Sequence, residues 1–246
     1  MLNEYLYDGS FEGLLTCIFY SYSSKSEVKI TKTKDYLPNL ISSPIEIVTE
    51  IDKFKRVYSS IRDKLSYTTL KTIYYLYLSD INDIETLIYK YIKLCYTYGN
   101  DINLAKNNEI ISLVDKYYRR ISLEAHRFTG FVRFKKIKED LYYSSIEPDY
   151  NILPIISTHF IERFSDQNFI IHDSKRGIAL FYNKNNSIIT DFSMDKSKNL
   201  LNNSNDEFEL LWKTFYNSVN IKERENSRLQ KMYMPTRYWH NLIEVK

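Results

Sequence analysis

The sequence predicts an α+β fold, with an N-terminal helical cluster packed against a mostly antiparallel sheet and additional C-terminal helices. Three observations lead there. Apolar residues recur with a 3.6-residue period through the first half; the period drops to two after Gly130; and the strand-like runs that follow are separated by short polar turns. At 246 residues and 43% apolar content the chain can bury a substantial core. With no Pro/Gly/Ser-rich linker and no repeat, it reads as a single domain, 1–246, made of a helical half, 1–130, and a sheet-containing half, 131–246.

The first helix starts at Phe11 and continues through Leu14, Leu15, Ile18, Phe19 and Tyr22 on one stripe, with Asp8 or Ser10 supplying the capping oxygen. A second is expected from "SSPIE", where Ser43 would cap, Pro44 would take the first helical position and Glu46 would complete a capping box. Ile47, Ile51, Phe54, Tyr58, Ile61 and Leu65 would form its packed face. Further helices are expected from Ser66 to Ser79, from Asp83 to Tyr98 with Gly99 as terminator, and from about Asn107 to Phe128, ending at Gly130. The strands are "FVRFKKI", "LYYSSI", "NFIIHD", "GIALFY" and "SIITDF", turning at "KED", "SKR" and "NKNN". Such short links imply antiparallel neighbours. "NILPIISTHFIERF" reads as a helix between the second and third strands, capped near Asn151, and from Glu207 to Val219 the residues Phe208, Leu211, Trp212, Phe215 and Val219 make another apolar face.

Composition excludes more than it assigns. A net charge of +3 with 26% charged residues is no polycation, so any basic surface must come from uneven distribution. The 23 tyrosines match a chain biased toward Ile, Lys, Asn and Tyr, and number alone is no function. Cys17 and Cys95 both sit among apolar residues, which argues for buried thiols in a reducing compartment and against a disulfide framework. The acidic start "MLNEYLYDGSFEG" does not resemble a secretory leader, and no apolar run reaches the roughly 18 residues of a membrane span, so a cytoplasmic protein is expected. Glycines 9, 13, 99, 130 and 177 form no phosphate-cradling loop, no G-x-S-x-G elbow is present, and the four histidines lack zinc spacing. Two distant cysteines cannot ligate an iron–sulfur cluster, and no cofactor is expected.

The chemistry concentrates in "EAHRFTGFVRFKKIK". From Arg119 through Lys138 there are seven Lys or Arg against one acidic residue, a local excess of +6. On a continuous helix Arg120, Glu124 and Arg127 fall at i, i+4 and i+7, so the carboxylate is expected to orient the guanidiniums. In the following strand Arg133 and Lys135 would share one face. Guanidiniums grip phosphates bidentately and aromatic rings offer stacking surfaces, so the pattern fits a nucleic-acid backbone. The bland alternative is a solvated helix end with dipole-favoured cations. Two further groups could join it. His159 and Arg163 lie at i, i+4, with Asp173, Lys175 and Arg176 at a strand end and tight turn; near the C-terminus Arg224, Arg228, Lys231 and Arg237 mingle with Tyr233, Tyr238 and Trp239.

These segments also carry a resemblance. "YDGSFEGLLTCIFYSY", "EAHRFTGFVRF", "PDYNILPIISTHFIERF" with "DQNFIIHDSKRGIALFY", and "LWKTFYNSVNIKERENSRLQ" with "PTRYW" are similar to a bacterial family described as DNA-metabolism or DNA-repair proteins and as a domain of unknown function. The resemblance spans nearly the whole chain. It implies a radical-SAM protein as partner, and longer members carry a uracil-DNA-glycosylase-like domain after this region; here Phe169 and His172 stand where the resemblance leads one to expect Trp and Tyr.

The expectation is a nucleic-acid-binding accessory protein in DNA repair or modification, with DNA as a partner and no membrane. Its phosphate contacts would be Arg120, Arg127, Arg133, Lys135, Arg163, Lys175, Arg176, Arg224 and Arg237. One alternative is a hydrolase or nuclease that uses Glu124, His126, His159 and Asp173 as acid, base or ligand. Another is a protein-binding adaptor for the radical-SAM partner.

Overall fold

A computed structural model describes residues 2–38, 42–193, 214 and 226–242. The chain is α+β and divides into two compact units, Met1–Ser122 and Leu123–Lys246. Apart from Thr214, the expected helix from Glu207 to Val219 lies outside the described residues, as does the candidate Arg224.

The first unit holds a three-stranded parallel sheet that the periodicity did not reveal. Its strands are β1 (Leu2–Tyr7), β2 (Val28–Lys32) and β3 (Ser42–Glu46), in the order β2-β1-β3. Parallel neighbours need a crossover, and α1 (Phe11–Ser21) provides it between β1 and β2. Ser10 caps that helix as expected, its side chain accepting from the Gly13 N–H at 2.9 Å. "SSPIE" is not a helix start. Ser42–Glu46 pairs in parallel with Leu2–Leu6, and Pro44 is tolerated because β3 is an edge strand. The helix begins five residues after Glu46, as α2 (Ile51–Ser60), followed by one wider π-helical turn at Ile61–Leu65.

The next helices match their sequence signals closely. They are α3 (Tyr67–Tyr77), with Ser66 accepting from the Thr69 N–H; α4 (Ile84–Tyr98), ended by Gly99 at φ +74; and α5 (Glu109–Phe131). Their apolar faces join Tyr5, Tyr7, Leu14, Ile18 and Ile30 in one core that also buries Cys17 and Cys95. Burial pushes the Cys17 thiol up to about 12 and the Cys95 thiol up to about 11, which makes both unreactive. At the sheet centre Glu4 is 1% exposed. Burial alone would raise its pKa, but hydrogen bonds from Thr31 and Ser42 and the Lys29 ammonium at 3.0 Å pull it down to about 2.

The second unit carries a five-stranded sheet ordered β4-β5-β6-β7-β8, mostly antiparallel. The strands are β4 (Lys135–Lys138), β5 (Leu141–Ile146), β6 (Asn168–Asp173), β7 (Ile178–Asn183) and β8 (Ser187–Asp191). The short turns give antiparallel pairs, as expected. β5 and β6 run parallel because α6 (Leu153–Arg163) crosses between them. Asn151 does not cap α6; Ile152 takes that position without a side-chain hydrogen bond, and Pro154 occupies the first turn. Phe134, Phe160, Phe164 and Phe169 form a cluster of edge-to-face rings. A last helix, α7 (Ser227–Tyr233), precedes the 3₁₀ segment Thr236–Asn241. Among the described residues no helix is long and apolar enough to cross a membrane.

Candidate functional site

The helix α5 runs through Gly130 to Phe131, so the strand expected from Phe131 starts only at Lys135. Arg133 therefore precedes β4 and shares no strand face with Lys135. Its guanidinium donates to the Gly130 carbonyl at 2.7 Å, where a cation at a helix C-terminus is favoured by the unpaired carbonyls.

Glu124 does not orient arginines. It is 5% exposed, and one oxygen accepts from the Asp149 N–H at 2.8 Å while the other accepts from the Tyr150 N–H at 2.9 Å. The Tyr238 hydroxyl also donates to it, and burial together with this carboxylate pushes the Tyr238 phenol above its usual range. Arg127 donates instead to the Met232 carbonyl at 3.2 Å.

The loop Glu147–Tyr150, which leaves β5, is the meeting point of the second unit's charges. Asp173, fully buried at the end of β6, accepts from the Lys175 and Arg176 N–H groups and pairs with the Arg176 guanidinium at 3.0 Å. Burial holds the Asp173 pKa above the usual carboxylate value, against the pull of Arg176. Arg176 also donates to the carbonyls of Pro148, at 3.1 Å, and Asp149, at 2.7 Å. The Asp149 side chain pairs with Arg237 at 2.6 Å, and Arg237 lies over the Tyr238 ring at 4.7 Å. His240 meets Glu147 at 3.0 Å, whose other oxygen accepts from Ser174. Of the expected site residues, Glu124, Asp173, Arg176 and Arg237 are thus gathered around one loop. Glu147, Asp149, Tyr238 and His240 complete the network and were not among them.

The other candidates lie elsewhere. Arg120 belongs to the first unit, on the exposed side of α5. Arg163 ends α6 near the first residue of β6, its guanidinium over the Phe164 ring, whereas Lys175 and Arg176 follow the last. The length of a six-residue strand, roughly 17–20 Å, separates them. His126 is exposed on α5, and His159 packs edge-on against Phe160. No hydrogen bond joins either histidine to Glu124 or Asp173, and among the described residues no three His, Cys, Asp or Glu side chains stand together as metal ligands. With their oxygens committed to N–H and guanidinium donors, Glu124 and Asp173 act as anchors for the loop.

The family model DUF4130, a domain of unknown function, matches residues 82–244, more than half of the sequence. The chain belongs to the DUF4130 family. No curated protein and no solved structure matches it. The matched range takes in α4, α5 and every residue of the network around Glu147–Tyr150; the parallel sheet of the first unit lies outside it.

Proposed function

We propose that this DUF4130 protein is a nucleic-acid-binding accessory factor that holds the phosphate backbone through the basic segment running off α5 into β4. The observation that carries the reading is the fate of Glu124. It is the lone acid among the seven cations of residues 119–138, and its carboxylate is spent on the Asp149 and Tyr150 N–H groups and Tyr238 instead of on Arg120 or Arg127. The positive charge of the segment is therefore not cancelled by its own acid, and Lys138, exposed at the end of the β4 edge strand, presents part of it to a polyanion. The place in DNA repair or modification, and a radical-SAM protein as partner, rest on the family resemblance of the quoted motifs.

Fluorescence anisotropy with single- and double-stranded DNA tests the proposal. Lys138→Glu, at an exposed position in the segment, is expected to weaken binding to all sequences alike, because phosphate contacts carry no base information. Lys25→Glu, an exposed change in the first unit, serves as the matched control and is expected to leave affinity unchanged. Absent binding, or equal losses in both variants, overturns the reading.

A further inference from the structure

The first unit contains a cleft of about 380 Å³, at the small end of the range in which small-ligand sites fall. It opens between the start of α3, the middle of α4, the turn Asn100–Leu104 and the first half of α5. Ile111 and Val114 of α5 give it an apolar floor, each no more than 3% exposed. Thr69 and Thr72 of α3 and Tyr91 of α4 add buried side chains that carry both hydrocarbon and a hydroxyl.

The walls are held in place by their own hydrogen bonds. Tyr91 donates to the Asn103 side-chain oxygen at 2.7 Å, Asn103 donates onward to the Asn100 carbonyl at 2.9 Å, and Thr69 donates to the Asn100 side chain at 3.3 Å. Pinning the 100–104 turn this way preorganises the cleft, so little ordering cost is left for a ligand. Thr72 sends its proton to the Thr68 carbonyl at 2.9 Å, which leaves its hydroxyl oxygen able to accept.

Two features define what would fit. At the rim, the Lys106 ammonium and one Asp115 oxygen stand 3.1 Å apart, a donor directly beside an acceptor, while Arg119 holds the other Asp115 oxygen at 3.1 Å and fixes the carboxylate. Tyr118, backed by the Tyr75 ring at 5.3 Å, adds an aromatic surface. A neutral nitrogen heterocycle has the complementary form: a flat ring that packs on aromatic and aliphatic walls, with an acceptor and a donor adjacent on one edge. A small anion would be desolvated against the Ile111 and Val114 floor, and a hydrocarbon chain would desolvate the rim ion pair without offering it a partner.

We infer that this cleft binds a neutral nitrogen heterocycle of nucleoside size, with Lys106 and Asp115 reading its edge. The site lies in the first unit and touches the basic segment only through the pair of Asp115 with Arg119; Tyr118→Ala leaves that pair in place, so either proposal can fail without the other. Saturation-transfer NMR on the full chain, with uridine, adenosine, glucose and inorganic phosphate as probes, tests it. One or both nucleosides are expected to give transfer, and glucose and phosphate none. Tyr118→Ala, at a half-buried position, and Asp115→Ala are each expected to weaken the nucleoside by about tenfold, which corresponds to about 1.4 kcal/mol. The Leu123→Ala variant, exposed and outside the cleft, is the control for general damage. No transfer from either nucleoside, equal transfer from glucose, or affinity unmoved in both cleft variants overturns the assignment.

Discussion

Glu124 is a buried carboxylate whose partners come from residues 25, 26 and 114 positions away, so its cost and its value are both non-local. Removing the side chain leaves two partly buried backbone N–H groups and the buried Tyr238 phenol without their acceptor. Glu124→Ala is therefore expected to lower stability by about 2–4 kcal/mol in urea unfolding. Glu124→Gln keeps one good acceptor but turns an NH₂ toward a donor, and is expected to cost about half as much. A loss below about 0.5 kcal/mol for the alanine variant would show that the loop Glu147–Tyr150 is held by its other contacts. Gly13 is a second residue whose environment sets a sharp requirement. A Cβ there would stand 2.2 Å from the Asp8 side-chain oxygen and 2.8 Å from the Thr49 hydroxyl. Asp8 cannot retreat cheaply, because it accepts from the Ser10 N–H, the Ser10 hydroxyl and Thr49. Gly13→Ala is expected to cost about 1–3 kcal/mol as overpacking. The Asp8→Ala, Gly13→Ala double variant should lose less than the two single variants combined, which a double-mutant cycle measures.

At the scale of elements, Gly130 offers the opposite case. It lies inside α5 rather than after it, and a Cβ added there meets no heavy atom within 4 Å. Gly130→Ala should therefore stabilise the helix by about 0.5–1 kcal/mol, seen as a melting temperature higher by about 2 °C. A destabilised variant would mean that the helix stops where the glycine first suggests. This position also shows where sequence signals end. Ser10, Ser66 and Gly99 mark real helix ends because caps act locally, and α3, α4, β5 and β6 follow their periods closely. Gly130 and Ser43 misread because the same residues serve two structures. A glycine is tolerated mid-helix when neighbours carry the helix onward, and Ser-Pro-x-Glu suits a capping box or an edge strand equally. β1 escaped for a different reason: its last four residues are all buried, so "LNEYLY" shows continuous burial in place of alternation. The site was legible in its residue types, and Asp173 with Arg176 could be paired within one turn. The partnership of Glu124 with Asp149, Tyr150 and Tyr238 could not, because no helical spacing encodes it.

For the whole molecule, charge separates two origins of nucleic-acid affinity. The chain sums to +3 and the segment 119–138 to +6, so the remainder carries −3. An attraction due to overall charge would be weak and spread out, whereas one due to the segment is local and strongly screened. Seven cations set an upper limit of about −6 on the log–log salt slope, at about 0.9 per phosphate neutralised. Part of that supply is committed internally: Arg119 pairs with Asp115 at 3.1 Å, Arg127 donates to Met232 and Arg133 to Gly130. A slope of about −2 to −4 is expected, equivalent to a loss of about 15- to 250-fold in DNA affinity between about 50 mM and 200 mM salt. Lys138→Glu should flatten it by about one. A slope shallower than about −1 would leave the segment as a solvated helix end and edge strand, its lysines serving to keep the β4 edge from pairing with other chains.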